Sequence, residues 1–449
     1  MYEIVVKINS FLWGNFLIML LVGTGVYYTF KLKFIQVRKF GVAVKKVTGG
    51  LDLNGEKAGE NGMTSFQALA TAIAAQVGTG NLAGAATALA SGGPGAIFWM
   101  WVSAFFGMAT VFGEAILGQV FKVKINGQVT GGPAYYIEKA LPSKGFSKFL
   151  AYFFAVACIV ALGLMGNSVQ SNSIAVAFYE AFGVSQAIVG VVIAVLGGFV
   201  FFGGLKRIAS VTEKVVPVMA ALYLIACIII LFINWQHVIP ALKSIFIMAF
   251  NPQAAMGGVM GITVKQAVRY GVARGLFSNE AGMGSTPHAH AVARVNHPGE
   301  QGVVALITVF IDTFIVLTGT ALVILTSGVS LGSATGIQLT QKAFEASLGG
   351  VGHGFVAICL LFFAFSTIVG WYFFGEANIR YIFRNEMAIN VYRAFVMIMI
   401  VVGSMLKVDI VWELADMFNA LMVFPNLIGL LALRKIVKEK TDEFENLNL

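Results

Sequence analysis

Nine apolar runs, each near the length of a membrane-spanning helix, constrain this chain more than any other feature. They fall at about 13–30, 97–121, 149–178, 187–203, 215–234, 301–327, 354–379, 388–406 and 409–433. About 20 consecutive apolar residues carry an α-helix across a bilayer. The composition agrees: 58% of residues are hydrophobic and 11% charged, where a soluble domain has about 25% charged. Such a chain is neither disordered nor an ordinary soluble enzyme, and nucleic acid is excluded as a main partner. The fold class expected is an all-α polytopic membrane protein whose surroundings are the lipid bilayer.

Two further segments are weaker by hydropathy. Residues 64–90 are small and alanine-rich, and 262–293 are amphipathic to polar. Counting both gives eleven transmembrane helices. The positive-inside rule supports the count. With the N-terminus outside and the C-terminus cytoplasmic, the inner segments 31–63, 122–148, 204–214, 294–300, 380–393 and the tail from 434 hold 23 of the 30 Lys and Arg. The outer segments hold only Lys7, Lys243, Lys265, Lys342 and Lys407. Dropping either weak crossing would invert everything after it and mix the charges. The net charge of +9 therefore sets orientation in the cell membrane. Within the inner loop, Phe34, Val37, Phe40 and Val44 among six lysines and arginines read as a basic helix lying on the membrane surface. Residues 236–252 and 334–350 suit short amphipathic helices outside. No loop is long enough to bury its own core, so 1–449 reads as one transmembrane domain: a leading helix and basic segment (1–63), a first five-helix repeat (64–234) and a second (262–433).

The weak segments carry the chemistry. Gln76, Val77, Gly78, Thr79, Gly80 and Asn81 interrupt the first near its middle, and Gly275 to Gly284, including Phe277, Ser278, Asn279 and Glu280, interrupt the second. Each glycine weakens a helix by about 1 kcal/mol relative to alanine. Each segment opens a run of five crossings, so the two halves run in opposite directions. That is the pattern of an inverted-repeat transporter with discontinuous helices. An unwound turn exposes N–H groups at one half-helix end and carbonyls at the other, attracting an anion and a cation respectively. A zwitterionic amino acid with a co-transported cation uses both. The alternative is that these glycines, drawn from 51 in the chain, serve only close helix packing.

At these residues the chain resembles a known family. Gly275-Leu276-Phe277-Ser278-Asn279-Glu280-Ala281-Gly282-Met283-Gly284-Ser285, Pro94-Gly95-Ala96-Ile97-Phe98-Trp99-Met100-Trp101 and Gln76-Val77-Gly78-Thr79-Gly80-Asn81 look like hallmarks of the alanine/glycine:cation symporters. The resemblance covers nearly the whole chain. It implies a sodium-coupled carrier of alanine and glycine with one leading helix before a leucine-transporter-type core of five plus five helices. Carried over by position, the amides of Thr79 and Gly80 would receive the substrate carboxylate. The carbonyls of Ala74 and Val77, with the hydroxyls of Ser366 and Thr367, would hold sodium. Gln170, a further candidate substrate contact, stands where many relatives of the fold place an aromatic hydroxyl. Asn81 is a candidate ligand of a second sodium. Gln76, Gly78, Ser278 and Asn279 complete the expected substrate site, and Phe277 and Trp371 are candidate walls or, alternatively, core packing. No cofactor is implied beyond the coupling ion.

Other polar groups lie within the apolar runs, where ionisable residues are functional candidates by default. Glu280 and Arg274 are expected to brace the second break. Glu114 and Asp312 occupy similar helices in the two halves and read as structural hydrogen-bonding groups, with proton coupling as the rival. Asp409, Glu413 and Asp416 suggest an exposed or gating face. His288, His290 and His297 cluster without a nearby cysteine or carboxylate, so a metal site is not expected. Cys158, Cys227 and Cys359 read as small apolar residues. No catalytic triad or phosphate loop is present. The rival functions are a proton-driven carrier of the same fold and an amino-acid-permeable channel.

Overall fold

The computed structural model describes residues 2–13, 15–49, 62–125, 127–251 and 263–447. Residues 50–61 of the basic segment, the end of the outer stretch at Pro252, and Ile262 lie outside these. Eight of the described helices are long and apolar enough to cross a membrane, among them Gly95–Val120, Lys144–Phe182, Gly204–Ile233, Pro298–Thr326 and Val351–Phe383. Gln186–Phe201 is apolar but shorter. The two weak segments fall below that standard: their helices Ser65–Gln76 and Val264–Asn279 have 12 and 16 residues, and their small and polar residues face inward. Residues 68–76 of the first are buried without exception, and so are 271–279 of the second.

Membrane-facing surfaces follow helical periodicity. Along Gly204–Ile233 one stripe of Val218, Leu222, Ile225, Ile229 and Phe232 is exposed, while Met219, Tyr223, Cys227 and Ile230 are buried behind it. An apolar stripe of this length has no place in water and suits acyl chains. The stretches expected as short outer helices are helical, as Trp235–Phe250 and Gly336–Leu348. The basic stretch forms Ile35–Arg38 and Phe40–Gly49. Its Phe34, Val37 and Val44 are exposed, and Lys46 is tied to Glu300 at 2.7 Å. The C-terminal helix Arg434–Asn446 docks beside it by burying Phe444, which stacks on His297.

Two local features depart from the expected all-α chain with plain loops. Residues 122–148 contain an antiparallel pair, Val123–Ile125 with Gln128–Thr130, in register Val123 to Thr130. Gly127, just before the second strand, has φ 79°, a backbone conformation that glycine adopts readily. Residues 204–214, expected as a loop, continue the following crossing as helix. Three described stretches are wound as π-helix: Gly80–Gly84, Ile159–Gly166 and Phe310–Leu317. Such bulges gather at functional sites, and all three border the same place.

Candidate functional site

Both broken segments begin alike. Thr64 and Thr263 each cap a helix whose third residue, Gln67 or Gln266, returns the hydrogen bond to the cap; each reciprocal box satisfies two otherwise orphaned amides. The first helix runs Ser65–Gln76, stops at Val77 and resumes in the π turn from Gly80. The second runs Val264–Asn279 and stops at Glu280, whose φ of 58° is left-handed. Gly282 and Gly284 follow at φ 88° and 80°. A non-glycine residue there is uncommon, so Glu280 is held by its surroundings.

The two breaks touch. A Cβ on Gly80 would stand 2.8 Å from the Ser278 Cα, and one on Gly78 would stand 2.3 Å from Thr367 Oγ1. Neither glycine has a positive φ, so close approach is what each position requires. Gln76 bridges the breaks by donating from Nε2 to the Asn279 carbonyl at 2.7 Å.

Beside Gly78, the long helix Val351–Phe383 brings Ser366 and Thr367 to the carbonyl end of the first half-helix. Thr367 Oγ1 lies 2.8 Å from the Ala74 carbonyl oxygen and 3.5 Å from that of Val77. Ser366 Oγ lies 3.4 Å from the Ala74 oxygen. Four neutral oxygens thus converge in a fully buried spot, and carbonyl and hydroxyl oxygens suit hard cations.

On the N–H side, the Thr79 amide donates to Gln170 Oε1 at 3.1 Å and the Gly78 amide to Asn81 Oδ1 at 3.0 Å. The oxygen of Asn81 is therefore engaged within its own turn. Gln76 Oε1 and Thr79 Oγ1 are buried and have no hydrogen-bond partner among the described residues. Both oxygens are free to accept a hydrogen bond from a polar group placed between the breaks.

Carboxylates secure both breaks. Asp312 accepts from Asn81 Nδ2 at 2.7 Å, from Ser278 Oγ at 2.9 Å and from Thr313 Oγ1 at 2.9 Å. Thr313 also receives Asn279 Nδ2 at 3.1 Å. Glu114 accepts the Gly282 amide at 3.2 Å and Asn426 Nδ2 at 2.5 Å. Glu114, in the helix after the first break, holds the second, whereas Asp312, in the helix after the second, holds both. Glu280 accepts from Trp371 Nε1 and, at 2.5 Å, from Ser285 Oγ.

The remaining expectations divide. Phe277 and Trp371 meet edge to face at 5.5 Å. Arg274 does not brace Glu280: it forms a forked pair with Asp416, at 2.5 and 3.1 Å, and lies over the Trp412 ring at 4.8 Å. Asp416 is accordingly buried, where an exposed face was expected. Arg274 lies six residues before Glu280, inside the intact helix Val264–Asn279, and its buried side chain reaches the last crossing. Glu413 is taken up by Asn9 of the leading helix. His288 bonds the Ser285 carbonyl and Asn378, and His290 bonds Gln301. Two residues at the site were missed from sequence, Trp412 and Gly166. Trp412 packs on Phe277 at 4.7 Å; a Cβ on Gly166 would stand 2.5 Å from the Trp371 ring. Gly166 lies one helical turn before Gln170, and that spacing was the available signal.

The model of the sodium:alanine symporter family matches residues 1–448. The chain belongs to that family. The sodium/alanine symporter AgcS of Methanococcus maripaludis is 42% identical over 450 residues, covering 99% of this chain and 97% of that protein. The probable sodium/glutamine symporter GlnT of Bacillus subtilis is 42% identical over 430 residues, covering 96% and 87%. Among solved structures, MhsT in complex with L-phenylalanine superposes with a TM-score of 0.58 at 14% identity, over 85% of this chain and 98% of that one. A manganese transporter of Eremococcus coleocola gives 0.56 at 14% identity, over 82% and 76%. At such identities the likeness shows the fold alone, the leucine-transporter type. This member of the family is a multi-pass membrane protein with a transporter's architecture.

The Arg274–Asp416 pair makes a stability prediction. Removing one partner of a buried ion pair leaves an uncompensated charge and costs about 3–5 kcal/mol. Arg274→Ala should lower the thermal unfolding temperature in detergent markedly, and Arg274→Met with Asp416→Leu should recover most of the loss. An R274A protein as stable as the wild type would refute the pairing.

Proposed function

We propose that this chain is a sodium-driven symporter that imports alanine and glycine by alternating access about the two breaks. The observation that carries the reading is the meeting of the Ser366 and Thr367 hydroxyls with the Ala74 and Val77 carbonyls. Sodium there would face oxygens only, and its positive charge would draw a carboxylate toward the amides of Thr79 and Gly80. Gln170 Oε1 covers the Thr79 amide much as a carboxylate would; arrival of substrate turns that side chain away, and its NH2 group can then donate to the carboxylate. Gln76 Oε1 and Thr79 Oγ1 offer acceptors for the ammonium. Ser278 and Asn279 line the far side, and Asn81 holds the turn in shape. A neutral zwitterion gains nothing from the membrane potential, whereas one sodium gains about 2.3 kcal/mol per 100 mV.

The membrane arrangement goes with this reading: eleven crossings, N-terminus outside, C-terminus cytoplasmic, with repeats over 64–234 and 262–433. A carboxylate from each half reaches the other half's break, Glu114 to the second and Asp312 to the first as well as to its own, which supports a paired arrangement of halves. Relatives whose names include sodium with alanine or glutamine support the coupling ion and the substrate class.

Purified protein in liposomes tests the function. Saturable alanine uptake driven by a sodium gradient, at uniform pH, is expected. Uptake driven by a proton gradient without sodium would instead favour a proton carrier, for which Asp312, a carboxylate beside both breaks, is the group to substitute. Unsaturable flux would indicate a channel. Substrate size is set by Phe277 and Trp371: Trp371→Ala or Phe277→Ala should admit larger neutral amino acids. One misfit methylene is worth only about 1–3 kcal/mol, so a strict limit needs stiff rings. Unchanged selectivity in both variants would remove them as walls.

A further inference from the structure

We propose that Glu280 is a positioning residue that sets the substrate size limit by fixing the Trp371 indole, without touching substrate itself. The inference rests on the substrate site read above. An aromatic wall excludes an extra methylene only if the ring cannot yield, since a ring held by packing alone shifts when a larger group presses on it. Trp371 is held on three sides. Its Nε1 donates to Glu280 Oε1. Its six-membered ring lies against Gly166, where a Cβ would come within 2.5 Å of Cζ3. Phe277 meets it at 5.5 Å with an interplanar angle of 81°. Packing by Phe277 and against Gly166 fixes where the ring lies, and the hydrogen bond at Nε1 ties its orientation to Glu280.

Glu280 is itself well placed to be rigid. It sits at the break with φ 58°, is fully buried, and its second carboxylate oxygen takes the Ser285 hydroxyl at 2.5 Å. Ser285 in turn offers its carbonyl to His288 Nδ1 at 2.6 Å, and Asn378 of the helix bearing Trp371 holds the other ring nitrogen of His288 at 2.9 Å. A closed circuit thus runs from Trp371 through Glu280, Ser285, His288 and Asn378 back to the same helix. The indole is registered against the second break and would move with it, so the wall keeps its shape as the site changes access. The Glu280–Trp371 bond therefore makes the size limit a property of the break as well as of the ring.

The test measures how 2-aminobutyrate, one methylene longer than alanine, competes against labelled alanine for sodium-dependent binding to the purified protein. This ratio needs no turnover. In Glu280→Ala, and in Glu280→Asp, whose shorter carboxylate falls away from the indole, 2-aminobutyrate should compete about tenfold better relative to alanine, the worth of one misfit methylene. Glu280→Gln keeps an acceptor for the indole N–H and should retain the wild-type ratio. In a Trp371→Phe background, which has no N–H to hold, Glu280→Ala should change the ratio no further. Glu280→Asp carries the test if Glu280→Ala does not fold. The wild-type ratio in both E280A and E280D, or a relaxation in E280Q equal to theirs, would overturn the proposal. Trp371→Ala separates this from failure of the underlying site: if it relaxes the ratio while E280A and E280D do not, only the positioning role falls, and if it leaves the ratio unchanged, the pocket itself lies elsewhere.

Discussion

Glycine 80 replaced by alanine is expected to abolish uptake in a protein that still folds. The added Cβ would stand 2.8 Å from the Ser278 Cα and 3.0 Å from its Cβ, and backbone cannot rotate aside as a flexible side chain can. The backbone conformation of Gly80 suits alanine, since its φ is not positive; the cost is the collision alone. Overpacking of this kind costs about 1–3 kcal/mol, small for a membrane domain of this size. The same collision drives the breaks apart, pulling Ser278 from Asp312 and Gln76 from the Asn279 carbonyl. Displacements of about 1 Å at a reacting or binding centre can cost about 100-fold in rate, and alanine uptake in liposomes should fall by at least about that factor. Gly41→Ala serves as control, because nothing lies within 4 Å of a Cβ there. Wild-type uptake by G80A would mean that the two breaks do not work at this separation.

The second large effect belongs to Thr367. Thr367→Val keeps the shape of the side chain and removes the oxygen that lies 2.8 Å from the Ala74 carbonyl and 3.5 Å from that of Val77. Losing a hydrogen-bonding or ligating oxygen to a charged group costs about 1.5–3 kcal/mol, which converts to about 10- to 150-fold in affinity. The sodium concentration giving half-maximal uptake should rise by at least about tenfold, with Thr367→Ser restoring it. With Ser366→Ala added, sodium activation should disappear while the protein still elutes as a folded species. Unaltered sodium activation in the double variant would place the ion elsewhere. Since Thr367 Oγ1 is also the atom that a Cβ on Gly78 would meet at 2.3 Å, Gly78→Ala should resemble T367V in sodium dependence.

Much of the site was legible in the residues alone. The two breaks stand out because glycines and polar side chains interrupt otherwise apolar helices, and a family resemblance attached Ala74, Val77, Ser366 and Thr367 to one ion. Those four do converge. What the sequence could not display is which buried polar group faces which. Arg274 was assigned to its neighbour Glu280, yet it pairs with Asp416, 142 positions away. Gln170 is expected from the sequence as a substrate contact, and it covers the Thr79 amide 91 positions away. Glu280 and Trp371, also 91 positions apart, read from the sequence as unconnected, one as a brace and one as a wall. Trp412 carries no local signal of its role, because an aromatic inside an apolar run looks the same whether it packs against lipid, helix or pocket.

The division has a physical basis. Hydropathy, helix-breaking and the distribution of lysine and arginine act locally or add up along the chain, so the sequence by itself determined the membrane class, the expected orientation and the positions of the two interrupted helices. The choice of partner for each buried hydrogen-bonding group is made by helices that meet only after the chain has packed. Glu114 with Gly282, Asp312 with Asn81, and Glu280 with Trp371 were decided by the tertiary structure, because in a low-dielectric interior each polar group must find a donor or acceptor wherever the fold supplies one.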